Sequence, residues 1–227
     1  MNKQAIIFDM DGVIVDTEFL DYQFQKEFIA RENGAVSNDE AVDYSALVGR
    51  SYDDLYRTMQ TFLNKEYSLE ELKQAFIRFN EERYHSLDYP ALFRKDIKAI
   101  LEEAKQQNRL LAVASSSEYA HILEVLEACG IDKYFDVIYS GEFVKESKPN
   151  PEIYRKTLEK LGVTPENALA IEDSSHGIRA AKEAGIQTIA YKETRMAIDQ
   201  SEADYSGEDM CEIRAIITAH FENLNRR

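Results

Sequence analysis

Positive charge is what this chain has least of. Lysines and arginines number 27 against 42 aspartates and glutamates, a formal charge of −15 over 227 residues. That balance opposes binding to nucleic acid or to an anionic membrane surface. It also means that any anionic substrate needs strong local positive charge. Cysteine is nearly missing. Cys129 and Cys211 stand far apart with no His/Cys cluster beside them, so neither a disulfide framework nor a zinc site is suggested. Both are expected as buried thiols in a reducing compartment. No apolar run reaches the length of a membrane span. Asp9 and Asp11 interrupt the first apolar segment, so no signal-peptide pattern is read there and the expected location is the cytoplasm. Walker A and G-x-G-x-x-G sequences do not occur, which argues against a nucleotide cradle or a dinucleotide site. A calcium EF-hand loop starting at Asp9 would need glycine at position 14 and an acid at position 20, where the chain has Ile14 and Leu20. His85, His121, His176 and His220 are scattered, so a histidine-based triad is not suggested. Internal repeats and low-complexity segments are absent.

What remains is an ordinary globular composition, 44% hydrophobic and 30% charged, long enough for one large domain or a core with a small insert. The short apolar run Ala5-Ile6-Ile7-Phe8 stops abruptly at Asp9 and Asp11 and reads as a strand buried on both faces. Helical spacing follows at Phe19, Leu20, Phe24, Phe28 and Ile29, with Gly34 as a stop. Ser51 with Asp54, and Ser68 with Glu71, have the spacing of capping boxes ahead of further apolar stripes. The stretch 16–85 is therefore expected to be all-helical. From Pro90 helices and strands alternate. Strands are expected at Leu110–Ala114, Val137–Tyr139, Ala168–Ile171 and Gln187–Tyr191, with Ser117 as a helix cap and Gly130, Gly162 and Gly185 as helix stops. Such alternation implies a doubly wound, Rossmann-like parallel sheet with helices on both faces. The fold class is thus α/β, with residues 1–15 and 86–227 forming the core and residues 16–85 an inserted helical cap.

Polar groups collect at the strand tips. Strand one ends at Asp9 and Asp11, the second at Ser115-Ser116-Ser117, and the fourth at Glu172-Asp173, while Lys148-Pro149 follows the third. Each has a plain reading alone, as a turn, a cap or a solvated lysine. In a parallel sheet all of them share one edge, where open α/β sheets bind ligands. Several acids beside a lysine suit a hard divalent cation, Mg²⁺ above all. Two like unit charges ~4 Å apart cost ~4 kcal/mol at an effective dielectric near 20, so a carboxylate attacking a phosphate needs that compensation. One strand-one acid would attack and form an aspartyl-phosphate, and the other would move protons.

Asp9-Met10-Asp11-Gly12-Val13, Ser115, Lys148-Pro149 and Glu172-Asp173 resemble the four ordered motifs of the haloacid dehalogenase superfamily. The chain is similar to its β-phosphoglucomutase-like phosphatase subgroup over nearly its whole length. The resemblance implies Asp9 as nucleophile and Asp11 as acid/base. It implies Ser115, with Ser116 beside it, and Lys148 as phosphate binders. Asp9, Asp173 and the Asp11 carbonyl would contact Mg²⁺, with Glu172 in or near the layer of groups behind these ligands. The family's dehalogenases lack the second acid, so dehalogenation is not expected.

Within the subgroup, the positions that carry a histidine and basic groups in the mutase hold Asp21, Tyr52 and Phe79 here, with Arg50 and Arg78 adjacent. The expected function is therefore Mg²⁺-dependent hydrolysis of a small phosphorylated metabolite, with sugar phosphates as the leading class. A β-phosphoglucomutase-type mutase is the alternative, and a phospho-acceptor signalling domain is a more distant one. Asp21, Arg50 and Tyr52 are the candidate specificity residues of a cap that would close as a lid, hinged near 15–16 and 82–90. The expected partner is the metabolite alone, bound by a monomer or weak dimer.

Overall fold

The apolar run at the start of the chain forms the strand β1 (Ala5–Phe8), with all four residues buried. In the computed structural model, residues 3–34, 42–48, 52–84 and 87–226 are described. Strands β2 (Leu110–Ser115), β3 (Val137–Ser140), β4 (Ala168–Glu172), β5 (Gln187–Tyr191) and β6 (Tyr205–Gly207) join β1 in one six-stranded sheet. Every pairing is parallel, and the order is β3-β2-β1-β4-β5-β6. The chain winds outward from β1 on one side, then returns to build the other. This is the doubly wound arrangement, with its switch point where β1 meets β4.

The sheet is covered on both faces. Alternate residues point to opposite sides. Ala5 and Ile7 of β1, Ala112 and Ala114 of β2, and Ala168 and Ala170 of β4 pack against helices α7 (Glu152–Leu161) and α8 (Ser175–Glu183). The small alanines let those helices lie close. Helices α5 (Ile97–Gln106), α6 (Tyr119–Ala128) and α9 (Met210–Asn225) contribute nothing to that cluster and adjoin β2, β3, β5 and β6 otherwise. Gly162, in the left-handed conformation at φ 66°, ends α7 as its spacing suggests.

Contacts divide the chain into two units. The first comprises Met1–Asp16, Tyr89–Thr194 and Ile198–Arg227 and contains the sheet; the short helix α4 (Tyr89–Leu92) opens its second segment. The second comprises Thr17–Asp88 with Arg195–Ala197 and is built from α1 (Glu18–Glu32), α2 (Tyr52–Phe62) and α3 (Leu69–Tyr84). Its core joins Phe24, Phe28 and Ile29 to Leu55, Tyr56 and Met59 and to Leu72, Phe76 and Phe79. Phe28 meets Phe76 and Phe79 edge-on, with ring centroids 5.2 and 5.3 Å apart. The capping box at α3 is formed in full: the Ser68 amide donates to Glu71 Oε2 at 2.9 Å, and the Glu71 amide donates to Ser68 Oγ at 3.2 Å. The pair Ser51 and Asp54 involves a residue outside the described ones. Among the described residues no helix is long and apolar enough to cross a membrane.

Three expectations are corrected. A sixth strand exists: β6 has three residues, two of them exposed, and carries no apolar run that could announce it. Cys129 is buried, but Cys211 is exposed near the start of α9. Ser117 does not cap α6: it stands one residue ahead of the N-cap, Glu118, which makes no side-chain cap bond, and its hydroxyl donates to Asp11.

Candidate active site

The parallel register lines up the strand tips. Phe8 pairs with Val113 on one side and Ile171 on the other, and the Asp9 amide donates to the Ile171 carbonyl at 3.0 Å. Pairing therefore runs one residue past β1 and fixes Asp9 beside Glu172. The chain then turns sharply: the Met10 carbonyl accepts from the amides of Val13, Ile14 and Val15. Gly12 sits in this turn at φ +79°, and a Cβ there would stand 1.8 Å from Asp173 Oδ2. Only glycine admits Asp173 so close.

Lys148 occupies the centre. Its ammonium donates to Asp9 Oδ1 and Glu172 Oε1, both at 2.6 Å, and to the Ala114 carbonyl at 2.9 Å, which uses its three protons. The peptide bond that follows, to Pro149, is cis. Burial alone would lower the Lys148 pKa, but the charges of Asp9 and Glu172 outweigh burial and raise it above the ordinary lysine value. Burial pushes the Asp9 carboxyl well above its usual range; Lys148 opposes this, while Glu172 and Asp11 add repulsion. Tyr154, fully buried on α7, donates from its hydroxyl to Glu172 Oε1 at 2.6 Å. Burial and the neighbouring Glu172 charge raise that phenol well above its usual pKa. Gly177 of α8 backs the same carboxylate: a Cβ there would lie 2.0 Å from Glu172 Oε2.

Carboxylate oxygens of Asp9, Glu172 and Asp173 lie within 4.8 Å of one another, and all three residues are buried. Three buried carboxylates, two of them bonded to the one ammonium of Lys148, gather several oxygen donors in a small space. A hard divalent cation takes oxygen ligands of this kind, so this donor set fits Mg²⁺. Asp173 is steadied from behind: Gln200 Nε2 donates to its carbonyl and, at 2.8 Å, to the Tyr191 carbonyl.

At the tip of β2, Ser115 is buried and its Oγ accepts from the Ser117 amide at 3.1 Å. Ser116 is exposed, its backbone close against Gly141. Asp11 is half-buried, and its Oδ2 accepts from Ser117 Oγ at 2.9 Å. The structure thus brings together Asp9, Lys148, Glu172 and Asp173, and ties Asp11 to Ser117. In the helical unit, Asp21 lies in the first turn of α1 and Tyr52 opens α2; Arg50 falls outside the described residues. Tyr154, Gln200 and the Ser117 contact were not foreseen. Tyr154 belongs to the apolar stripe of α7, where an aromatic reads as core.

Residues 6–191 match the haloacid dehalogenase-like hydrolase family. The phosphorylated carbohydrates phosphatase of Thermotoga maritima is 34% identical over 186 residues, covering 82% of this chain and 83% of that protein. Among solved structures, the β-phosphoglucomutase of Clostridium difficile is similar at a TM-score of 0.74 and 26% identity, covering 99% of this chain and all of that one. CbbY of Rhodobacter sphaeroides, solved as a mutant in complex with xylulose-(1,5)bisphosphate, is similar at 0.69 and 28% identity, covering 92% and 96%.

Proposed function

The chain belongs to the haloacid dehalogenase-like hydrolases, within their β-phosphoglucomutase-like subgroup, and we propose that it is a Mg²⁺-dependent phosphatase of small sugar phosphates. The observation that carries this reading is Lys148 bridging Asp9 and Glu172 inside a buried trio of carboxylates. A lone lysine or a lone acid pair has simpler explanations. A buried ammonium shared by two carboxylates, with a third acid adjacent, is costly unless it serves chemistry.

Asp9 attacks phosphorus, and the bond from phosphorus to the leaving oxygen breaks. Asp11 gives its proton to that oxygen, and Asp9 carries the phosphoryl group. Asp11, now a carboxylate, then takes a proton from water as the water oxygen bonds to phosphorus and the bond to Asp9 opens. Inorganic phosphate leaves, and Asp11 is again protonated. Asp9, Asp173 and the Asp11 carbonyl would hold Mg²⁺, with Glu172 in or near the layer of groups behind them; when bound, the ion offsets the repulsion between carboxylate and phosphate dianion. Lys148 keeps a positive charge beside the attacking oxygen, and Ser115 and Ser116 are assigned to the phosphoryl oxygens.

Substrate choice is assigned to the helical unit. Alanine at Asp21, Arg50 or Tyr52 should alter KM among phosphate esters more than kcat. The deciding experiment is phosphate release from a panel of sugar phosphates and nucleoside monophosphates, run with and without Mg²⁺. Asp9→Asn should abolish turnover with the fold intact by circular dichroism, and undiminished turnover would remove Asp9 as nucleophile. The similarity to a β-phosphoglucomutase supports mutase activity as a second reading. A coupled assay for conversion of β-glucose 1-phosphate to glucose 6-phosphate decides between them. Phosphate release without isomerisation is the expected result.

A further inference from the structure

We infer that Ser117 is a positioning residue for Asp11, holding the proton-transferring carboxylate through one of its oxygens; this rests on the acid/base reading of Asp11. Ser117 donates from Oγ to Asp11 Oδ2 at 2.9 Å. A hydroxyl donor suits both states of that carboxylate. It can bond to an ionised oxygen, or to the carbonyl oxygen of a protonated acid, so the contact survives the whole cycle.

Ser117 is itself fixed at every polar atom. Its amide donates to Ser115 Oγ at 3.1 Å, and its carbonyl accepts from Ser140 Oγ at 2.6 Å. Ser140 Oγ in turn accepts from the Glu142 amide at 3.0 Å, which sets the direction of its own proton. Ser115 and Ser140 are register partners across β2 and β3. Next to them, Gly141 allows the two tips to close: a Cβ there would stand 2.8 Å from the Ser116 carbonyl oxygen. An orienting contact held this firmly can fix a side chain to the tolerance that proton transfer demands.

The test exploits leaving groups. An alkoxide, as from a sugar phosphate, needs a proton when it departs; p-nitrophenolate does not. The ratio kcat/KM reports transfer to Asp9, before water enters. Ser117→Ala should lower kcat/KM for the sugar phosphate by about 10- to 100-fold, less than the roughly 100- to 10,000-fold typical of a whole acid–base contribution because Asp11 itself remains, and by much less for p-nitrophenyl phosphate. Ser117→Thr, which keeps the hydroxyl, should restore most of the loss. Ser140→Ala should show the same bias at smaller size and carries the test if Ser117→Ala does not fold. Equal losses on both esters, or no loss on the sugar phosphate, would overturn the inference. Asp11→Asn is measured alongside. If it shows no leaving-group bias, the acid role of Asp11 is wrong and this inference falls with it. A bias in Asp11→Asn without one in Ser117→Ala removes Ser117 alone.

Discussion

Gly12 meets two demands at once, a left-handed backbone and a space already filled by the Asp173 carboxylate. Gly12→Ala must push Asp173 away. Calorimetric titration should find Mg²⁺ affinity about 10- to 100-fold weaker, as when groups that support metal ligands are lost. Tyr154→Phe removes one donor to a buried carboxylate and keeps the ring. It should cost about 1–3 kcal/mol in urea denaturation, because Glu172 is left short of a partner where water cannot replace it. The two thiols should also separate by reactivity. Burial pushes the Cys129 pKa up to about 11, whereas Cys211 is exposed, so iodoacetamide at pH 8 should modify Cys211 first. Asp9, Lys148 and Asp173 were legible because acids and a lysine break off apolar runs at strand ends. Tyr154 was not, since helical spacing reports burial and says nothing of what a hydroxyl will meet. Ser117 was misread for a related reason: a serine before a helix is usually its cap, and only the fold reveals a carboxylate 106 positions away within reach.

Helix α3 begins with two reciprocal bonds between Ser68 and Glu71. Ser68→Ala should destabilise the chain by about 1 kcal/mol, which for a domain of this size lowers Tm by roughly 2–4 °C in a circular dichroism melt. Helices α5 and α9 are linked by Arg214 Nε donating to Glu103 Oε2 at 2.6 Å, and this bond holds the Glu103 pKa below the usual glutamate value. A depressed folded pKa means that the stability is present above the unfolded value, near 4.5, and fades as pH falls through the folded one. Arg214 is half exposed, so solvent screening keeps the contribution under about 1 kcal/mol. Glu103→Gln should therefore weaken the protein at pH 7 and lose its effect in acid, as read by denaturant titrations at both pH values. The main helices and five strands could be read from period and punctuation. The sixth strand could not, since its three residues owe their conformation to β5 and α9 rather than to any pattern of their own.

Across the molecule, an overall charge of −15 surrounds a centre meant for anions. Raising ionic strength from about 10 to 150 mM should increase kcat/KM, because it screens the long-range repulsion of a phosphate ester more than the short contacts inside the site. Mg²⁺ should stabilise the fold by binding the three buried carboxylates, which are gathered only in the folded state. At a hundred times its Kd, linkage gives about 2.7 kcal/mol, so Tm should rise by roughly 5–10 °C, and Asp173→Asn should abolish the rise. The topology carries one last consequence. Ala5 pairs in the sheet with Leu110 and Ala168, so the strand that leads into Asp9 leaves the ribosome about a hundred residues or more before either neighbour. At translation rates of about 5–20 residues per second, that bare apolar ribbon waits roughly 5–20 s for its first neighbour, a window in which a nascent-chain chaperone has something to hold.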